Sequence, residues 1–318
     1  MTTSSAPGKI ILFGEHAVVY GRPALAVPIT QVHADVEVLD ASRAGIWINA
    51  PDVKLHAELN TLPSDHPIAS VIHNFLFLSR VSPFPNLEIR ISSTIPVASG
   101  LGSGAAVSVA LVRALSSHLD KQMTDKEVNM FVYEIEKLHH GTPSGIDNTV
   151  ITYAMPVYFV KSPASPVRRG AGGEVETFKV GRPFTIVITD TGIPAPTKES
   201  VSDIRRLWEA DKTKWESVFD QVAEISFSAR RVIEEGWVDM LGHLMDENHA
   251  LLQEMTVSSP ELDRLVEAAR NAGAMGAKLS GGGRGGSMIA LVAAERAKEV
   301  ASALITSGAK RTLITRIS

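Results

Sequence analysis

The stretch Ile95-Pro96-Val97-Ala98-Ser99-Gly100-Leu101-Gly102-Ser103-Gly104-Ala105-Ala106-Val107 decides how the rest of the chain is read. Before it, Leu87 to Ser93 alternates apolar and polar residues, the period of a strand with one buried face. After it, Ala106, Val109, Ala110 and Arg113 fall at helical spacing, which predicts a helix over Ser103 to His118. A strand, a glycine-rich turn and a helix start aim backbone N–H groups at an anion. Glycines among small residues let that backbone come close to a ligand. The same residues also suit a tight loop between packed elements. The pattern is neither GxxxxGK(S/T) nor a GxGxxG after an early strand, so other segments must decide between a phosphate cradle and a plain loop.

Composition narrows the field. A chain of 318 residues can bury a sizeable core, and two domains are expected. With 44% hydrophobic and 21% charged residues it reads as a folded protein, not a disordered or coiled one. The formal net charge is -4 with no long basic run, which argues against nucleic acid as a partner. No apolar run reaches membrane-spanning length, and Met1 to Ser5 lacks the apolar core of a signal peptide. No membrane partner is therefore expected, and a cytoplasmic setting is the simplest. The absence of cysteine removes disulfides, thiolate metal sites and thiol nucleophiles.

Working outward, Ile10 to Phe13 reads as a short central strand behind Ala6-Pro7-Gly8-Lys9. Gly14-Glu15-His16 through Gly21-Arg22-Pro23 is a turn carrying an acid, a histidine and a base. Leu25 to Ile29 and Val32 to Leu39 read as two further strands, with Trp47 and Ile48 as a short one beyond. Ile68, Val71, Ile72, Phe75 and Leu78 make an amphipathic helix. Thr124 to Glu127 has the form of a capping box opening a helix whose buried stripe is Val128, Phe131, Val132, Ile135 and Leu138. Glu136 lies at the margin of that stripe. A glycine-bearing turn, Gly141 to Asn148, precedes a strand-like Val150 to Val160, an exposed loop from Ser162 to Gly173 and a returning strand from Val175 to Val180.

A boundary at Gly181-Arg182-Pro183 would divide residues 1–182 from 183–318. The second part starts with a strand from Phe184 to Thr189 and turns helix-rich from Lys198 to Met255. Another helix begins at Ser259-Pro260-Glu261. Lys278-Leu279-Ser280-Gly281-Gly282-Gly283-Arg284-Gly285-Gly286 is a second glycine-rich loop, followed by a strand, a helix and a last strand from Arg311 to Ile317. The expected class is α+β, with helices on one face of the second sheet.

Two glycine-rich loops in different domains suggest a cleft closing on a polyphosphate from both sides. Phosphoryl transfer needs an anion cradle, a divalent ion, fixed positive charge and an oriented nucleophile. Gly100 to Gly104 offer the cradle, Glu136 a magnesium ligand, and Lys9 the charge. Asp147 offers a partner for a substrate hydroxyl, or a counter-charge for Lys9. A neighbouring lysine favours the carboxylate form, so positioning and electrostatics would be the main work of Asp147. Each has a plainer reading. Lys9 and Glu136 can be solvated surface residues, Asp147 a turn cap, and Ser103 a helix cap or phosphate contact. His139 and His140 are adjacent on a helix and cannot face one metal site.

These motifs together resemble the superfamily of small-molecule kinases that includes galactokinase, homoserine kinase, mevalonate kinase and phosphomevalonate kinase, the GHMP kinases. Ala6 to Lys9 with Gly14 to Gly21 is similar to the opening motif of its mevalonate kinase branch. Pro96 to Ala106 is similar to the nucleotide loop, Lys278 to Gly286 to the third motif, and His140 to Asn148 to the segment with the catalytic aspartate. Asp190-Thr191-Gly192, Thr197-Lys198 and Leu244 to His249 continue the likeness across nearly the whole chain. The resemblance implies transfer of the ATP γ-phosphate to the 5-hydroxyl of (R)-mevalonate. It implies Asp147 and Lys9 as the catalytic pair, and Glu136 and Ser103 at Mg2+. Pro96, Ala98, Ser99, Gly100, Leu101, Gly102, Ser103, Gly104 and Ala105 would hold ATP. Glu15, His16, Ser144, Thr197 and Gly282 would face the acceptor. The implied fold is a two-domain GHMP kinase, with an N-terminal domain like the second domain of ribosomal protein S5 and a ferredoxin-like C-terminal domain. A homodimer is common in such kinases.

One position departs from the pattern. The family loop usually reads Gly-Leu-Gly-Ser-Ser-Ala-Ala, and here Gly104 follows Ser103. That keeps the backbone cradle and removes one hydroxyl. The nearest alternative is a sister kinase acting on another hydroxyl of mevalonate or on a phosphomevalonate. Around His16 the sequence offers only Arg22 as a base for a second substrate phosphate. A decarboxylase of diphosphomevalonate and a non-catalytic nucleotide or sugar sensor fit the motifs less well.

Overall fold

The computed structural model describes residues 1–96, 99–140, 143–161, 173–195 and 197–318. Strands β1 (Thr2–Phe13), β2 (Pro23–Asp40), β3 (Ile46–Ala50) and β4 (Leu55–Glu58) come first. They are followed by helix α1 (Pro67–Leu78), β5 (Leu87–Ser93), α2 (Ser103–His118), α3 (Asp125–His140) and α4 (Ile146–Tyr153). Strands β6 (Val157–Lys161) and β7 (Gly173–Thr177) complete a seven-stranded sheet. Its centre is β2, paired antiparallel with β1, with β5 and with β6.

Helix α2 occupies the predicted residues and lies on β1 and β2. Ala106, Val109, Ala110 and Val112 are wholly buried, so the small residues of the opening stretch are what let the helix sit close to the sheet. The capping box forms as read: Glu127 Oε2 accepts from Thr124 N at 2.8 Å, while Glu127 N donates to Thr124 Oγ1 at 3.3 Å.

Four local expectations change. The two strands read between Leu25 and Leu39 are one, β2, because the chain passes Thr30, Gln31 and Val32 as a bulge opposite Pro7 and Gly8 without leaving the sheet. Strand β1 starts at Thr2, not Ile10, since its ladder with β2 needs backbone groups and not apolar side chains. Residues 150–153, read as the start of a strand, belong with 146–149 to helix α4. Gly145 in the left-handed region opens it, and Val150 and Ile151 are both buried from a helical backbone. Leu138 is exposed, so the stripe of α3 ends at Ile135. The loop read from Ser162 lies, up to residue 172, outside the described residues.

The second sheet has the order β11-β8-β10-β9, all antiparallel, with β8 (Phe184–Asp190), β9 (Gly276–Ser280), β10 (Ser287–Val292) and β11 (Arg311–Ile317). Its helices are α5 (Thr197–Ala210), α6 (Lys212–Glu235), α7 (Leu241–Glu254), α8 (Pro260–Asn271) and α9 (Ala297–Thr306). Helices α8 and α9 pack on it, joining Val187, Met288 and Ala290 in one core cluster. The alternate residues Ile186, Ile188, Ile289 and Leu291 turn the other way. They share a cluster with α6, α7 and the first sheet, so this sheet is covered on both faces. Strand β9 is an edge closed by side chains: Asp246 Oδ1 accepts from Ala277 N at 2.9 Å, and His249 Nδ1 from Leu279 N at 3.3 Å. Among the described residues no helix is long and apolar enough to cross a membrane.

Candidate active site

The opening loop is built against the end of β1. Lys9 N donates to Leu101 O at 3.0 Å, which fastens the loop to the strand at the predicted lysine. Gly102 is the helix N-cap at φ 77°, and a Cβ there would lie 2.8 Å from Ile151 Cδ1 and 3.0 Å from Lys9 Cγ. Only glycine fits both the backbone and the space. No acidic residue stands in the first turn of α2, so its free N–H groups present unopposed positive potential. Ala105 is buried, Ser103 half-buried and Gly104 exposed. Pro96 O accepts from Ser99 Oγ at 2.8 Å. Ala98 lies outside the described residues.

The second glycine loop meets the first. Ser287 Oγ donates to Ser99 O at 2.6 Å, joining loops nearly two hundred residues apart. Gly282 approaches Thr197 so closely that a Cβ would sit 2.5 Å from its Oγ1. His16 Nε2 lies 3.2 Å from Gly282 O. Turn, glycine loop and start of α5 are thereby in mutual contact.

Lys9 Nζ and Asp147 Oδ1 are 2.9 Å apart, the lysine buried on β1 and the aspartate part-exposed in the first turn of α4. Glu136 projects from α3 toward the same place. Burial raises its carboxyl to about 7, the negative charge of Asp147 adds to the shift, and Lys9 opposes it. His16 is held neutral: burial lowers it to about 4, against the pull of the Gly282 carbonyl and with the charges of Arg284 and Lys278 adding to the shift. Glu15 is buried and forms an ion pair with Lys278, itself buried beneath the second loop.

One cavity of about 440 Å³ gathers these groups. Lys9, Glu15, His16, Gly100, Glu136, Ser144, Asp147, Thr197 and Gly282 line it. The remaining described residues of the opening loop, Pro96, Ser99, Leu101, Gly102, Ser103, Gly104 and Ala105, do not line it; Gly102 caps α2, and Ser103, Gly104 and Ala105 open it. The expected basic neighbour of His16 is different from the one read in sequence. Arg22 is engaged with Glu216 at 2.5 Å and Asp220 at 2.7 Å. Lys198 and Arg205 line the cavity instead, and among the described residues neither has a hydrogen-bond or ion-pair partner. Thr197, Lys198, Val201 and Arg205 share one face of α5, a helical spacing that would have pointed to them. Among the described residues no group of three or more His, Asp or Glu side chains is placed to hold a metal.

The sequence and the architecture have counterparts among known proteins. Residues 68–155 match the GHMP kinases N terminal domain, and residues 229–310 match the GHMP kinases C terminal domain. The mevalonate kinase of Pyrococcus abyssi is 36% identical over all of this chain and 96% of its own length. That of Methanocaldococcus jannaschii is 30% identical over 92% of this chain and 93% of its own. The crystal structure of L. major mevalonate kinase in complex with R-mevalonate superposes with a TM-score of 0.85 at 27% identity, covering 100% of this chain and 96% of that one.

Proposed function

The chain belongs to the mevalonate kinase family of the GHMP kinases and is an ATP-dependent small-molecule kinase, and from that premise we propose that it phosphorylates the 5-hydroxyl of (R)-mevalonate. The observation that carries the reading is the Lys9–Asp147 pair, which lines one cavity with Glu136, Gly100 and His16. The opening loop and the N-terminus of α2 take the nucleotide phosphates, and Glu15, His16, Ser144, Thr197 and Gly282 surround the acceptor. The division falls at Gly181-Arg182-Pro183: residues 1–182 carry the loop and the aspartate, and residues 183–318 the second loop.

Asp147, fixed by Lys9, accepts a hydrogen bond from the acceptor hydroxyl and orients its oxygen toward the γ-phosphorus. As that oxygen bonds to phosphorus, the bond to the departing ADP breaks and the hydroxyl proton passes to the Asp147 carboxylate or to water. Neutral His16 turns its Nε2–H to the Gly282 carbonyl, which leaves Nδ1 to accept from a substrate hydroxyl without adding charge. A magnesium ion fits the residues present: Glu136 and Asp147 crowd two carboxylates into a poorly solvated space, which a cation relieves. When bound, it would supply positive charge that offsets that of the phosphates. Glu136 and Ser103 would hold it, and a magnesium that keeps most of its waters needs no larger protein cage.

A second reading, phosphorylation of a phosphomevalonate, is favoured by one observation. Lys198 and Arg205 are unpaired cations in the acceptor cavity among the described residues, and they suit a phosphate as well as a carboxylate. Steady-state assays with ATP and mevalonate, phosphomevalonate, galactose or homoserine separate the two. The proposal expects the highest kcat/KM on mevalonate, and preference for phosphomevalonate would replace it with the second reading.

A further inference from the structure

Lys278 is wholly buried, yet it is one half of an ion pair. Its Nζ donates to Leu279 O at 2.7 Å and to Glu15 Oε1. Burial pulls it below its usual value, and Glu15 opposes that pull. Such a pair is costly to desolvate and is weak evidence for stability, so its presence asks for another account. Three facts supply one. Residue 278 is on β9 of the second sheet and residue 15 is in the turn after β1 of the first, so the pair fastens the two sheets where the cavity lies. The next residue, His16, meets Gly282 of the loop that follows Lys278. The second oxygen of Glu15, Oε2, is buried with no hydrogen-bond partner among the described residues, although Glu15 lines the cavity.

We propose that Lys278 is a positioning residue for the acceptor, holding the Glu15 carboxylate across the sheet boundary so that Oε2 takes a substrate hydroxyl. This rests on the acceptor site proposed above. The terminal torsion of a glutamate is soft, so a small turn of the carboxylate brings Oε2 through the cavity lining while Oε1 keeps the ammonium. The wall of Glu15, His16 and Gly282 then forms only when both sheets contribute.

The test compares wild-type chain with Glu15→Gln, Lys278→Met and the double variant, measuring KM for mevalonate, KM for ATP, kcat and thermal melting. Either single change should raise KM for mevalonate about tenfold or more, the effect of losing one hydrogen bond to a charged group. KM for ATP should stay within about twofold in the same proteins. The double variant should be no worse than the poorer single one, because the two residues act as a unit. It leaves no unpaired buried charge, so it carries the test even where Lys278→Met does not fold. A double variant with wild-type KM for mevalonate, or single effects that multiply, would overturn the role of Lys278. Absence of mevalonate turnover by the wild-type chain would instead overturn the acceptor assignment on which the proposal rests.

Discussion

Lys9 Nζ sits 2.9 Å from Asp147 Oδ1, joining β1 to the first turn of α4. The lysine side chain is 4% exposed and the aspartate 35%, so the cation is fixed inside while the carboxylate faces the cavity. That asymmetry suits an anchored aspartate that meets substrate. It also says which partner to change first.

Asp147→Asn keeps the shape and removes the charge. Turnover should fall by about 10²- to 10⁴-fold, the usual worth of a positioned acid or base. Affinity for a non-hydrolysable ATP analogue should change little, because the proposed place of Asp147 is at the acceptor hydroxyl. Rapid-quench and equilibrium binding on the same preparation check this, and equal losses in both would place Asp147 with the nucleotide.

Gly102→Ala should abolish most activity and lower stability. Its φ of 77° strains any side chain, and the new Cβ would press on Ile151 and Lys9. A cost of roughly 1–3 kcal/mol is expected from the backbone alone. A melting curve and a kcat measurement are sufficient, and an unchanged kcat would mean that the loop is not in contact with the reaction.

Gly104→Ser is the opposite case. A Cβ at Gly104 meets no atom within 4 Å, so serine enters without strain. The added hydroxyl at the start of α2 should lower the magnesium concentration needed for half-maximal rate. Titration of magnesium at saturating ATP reads this directly; unchanged rate and unchanged magnesium dependence would show that the missing hydroxyl has no part in the site.

Acid should destabilise the chain through buried neutral histidine. Burial lowers His249 from 6.5 to about 4, overcoming the attraction of Asp263. A histidine whose folded value is depressed contributes stability that is complete above 6.5 and lost as pH falls through 4. The size is roughly 3 kcal/mol by linkage. Melting temperature followed from pH 7 to pH 4 should fall, and more steeply than in His249→Asn; parallel curves would remove His249 from the account.

Much of this was legible in the residues. Helix α2 and its glycine-rich entry follow from spacing and small side chains. Glu15, His16, Ser144, Thr197 and Gly282, which the resemblance implies and which are proposed for the acceptor, line one cavity. Other features depend on distant partners. Val150 and Ile151 have the composition of a strand, and only the left-handed Gly145 with packing on both sides makes them helical. Lys278 looked like the start of a loop, because nothing local shows that Glu15 waits for it across the sheet boundary. Lys198 and Arg205 reach the cavity because α5 begins beside Gly282, a matter of tertiary contact.

Whether this chain is a mevalonate 5-kinase is decided by the product of the wild-type chain with ATP, magnesium and (R)-mevalonate, identified by phosphorus and carbon NMR. The products should be one equivalent each of ADP and a phosphate monoester at the 5-hydroxyl. No transfer to mevalonate, or a phosphate on the 3-hydroxyl, would contradict that assignment.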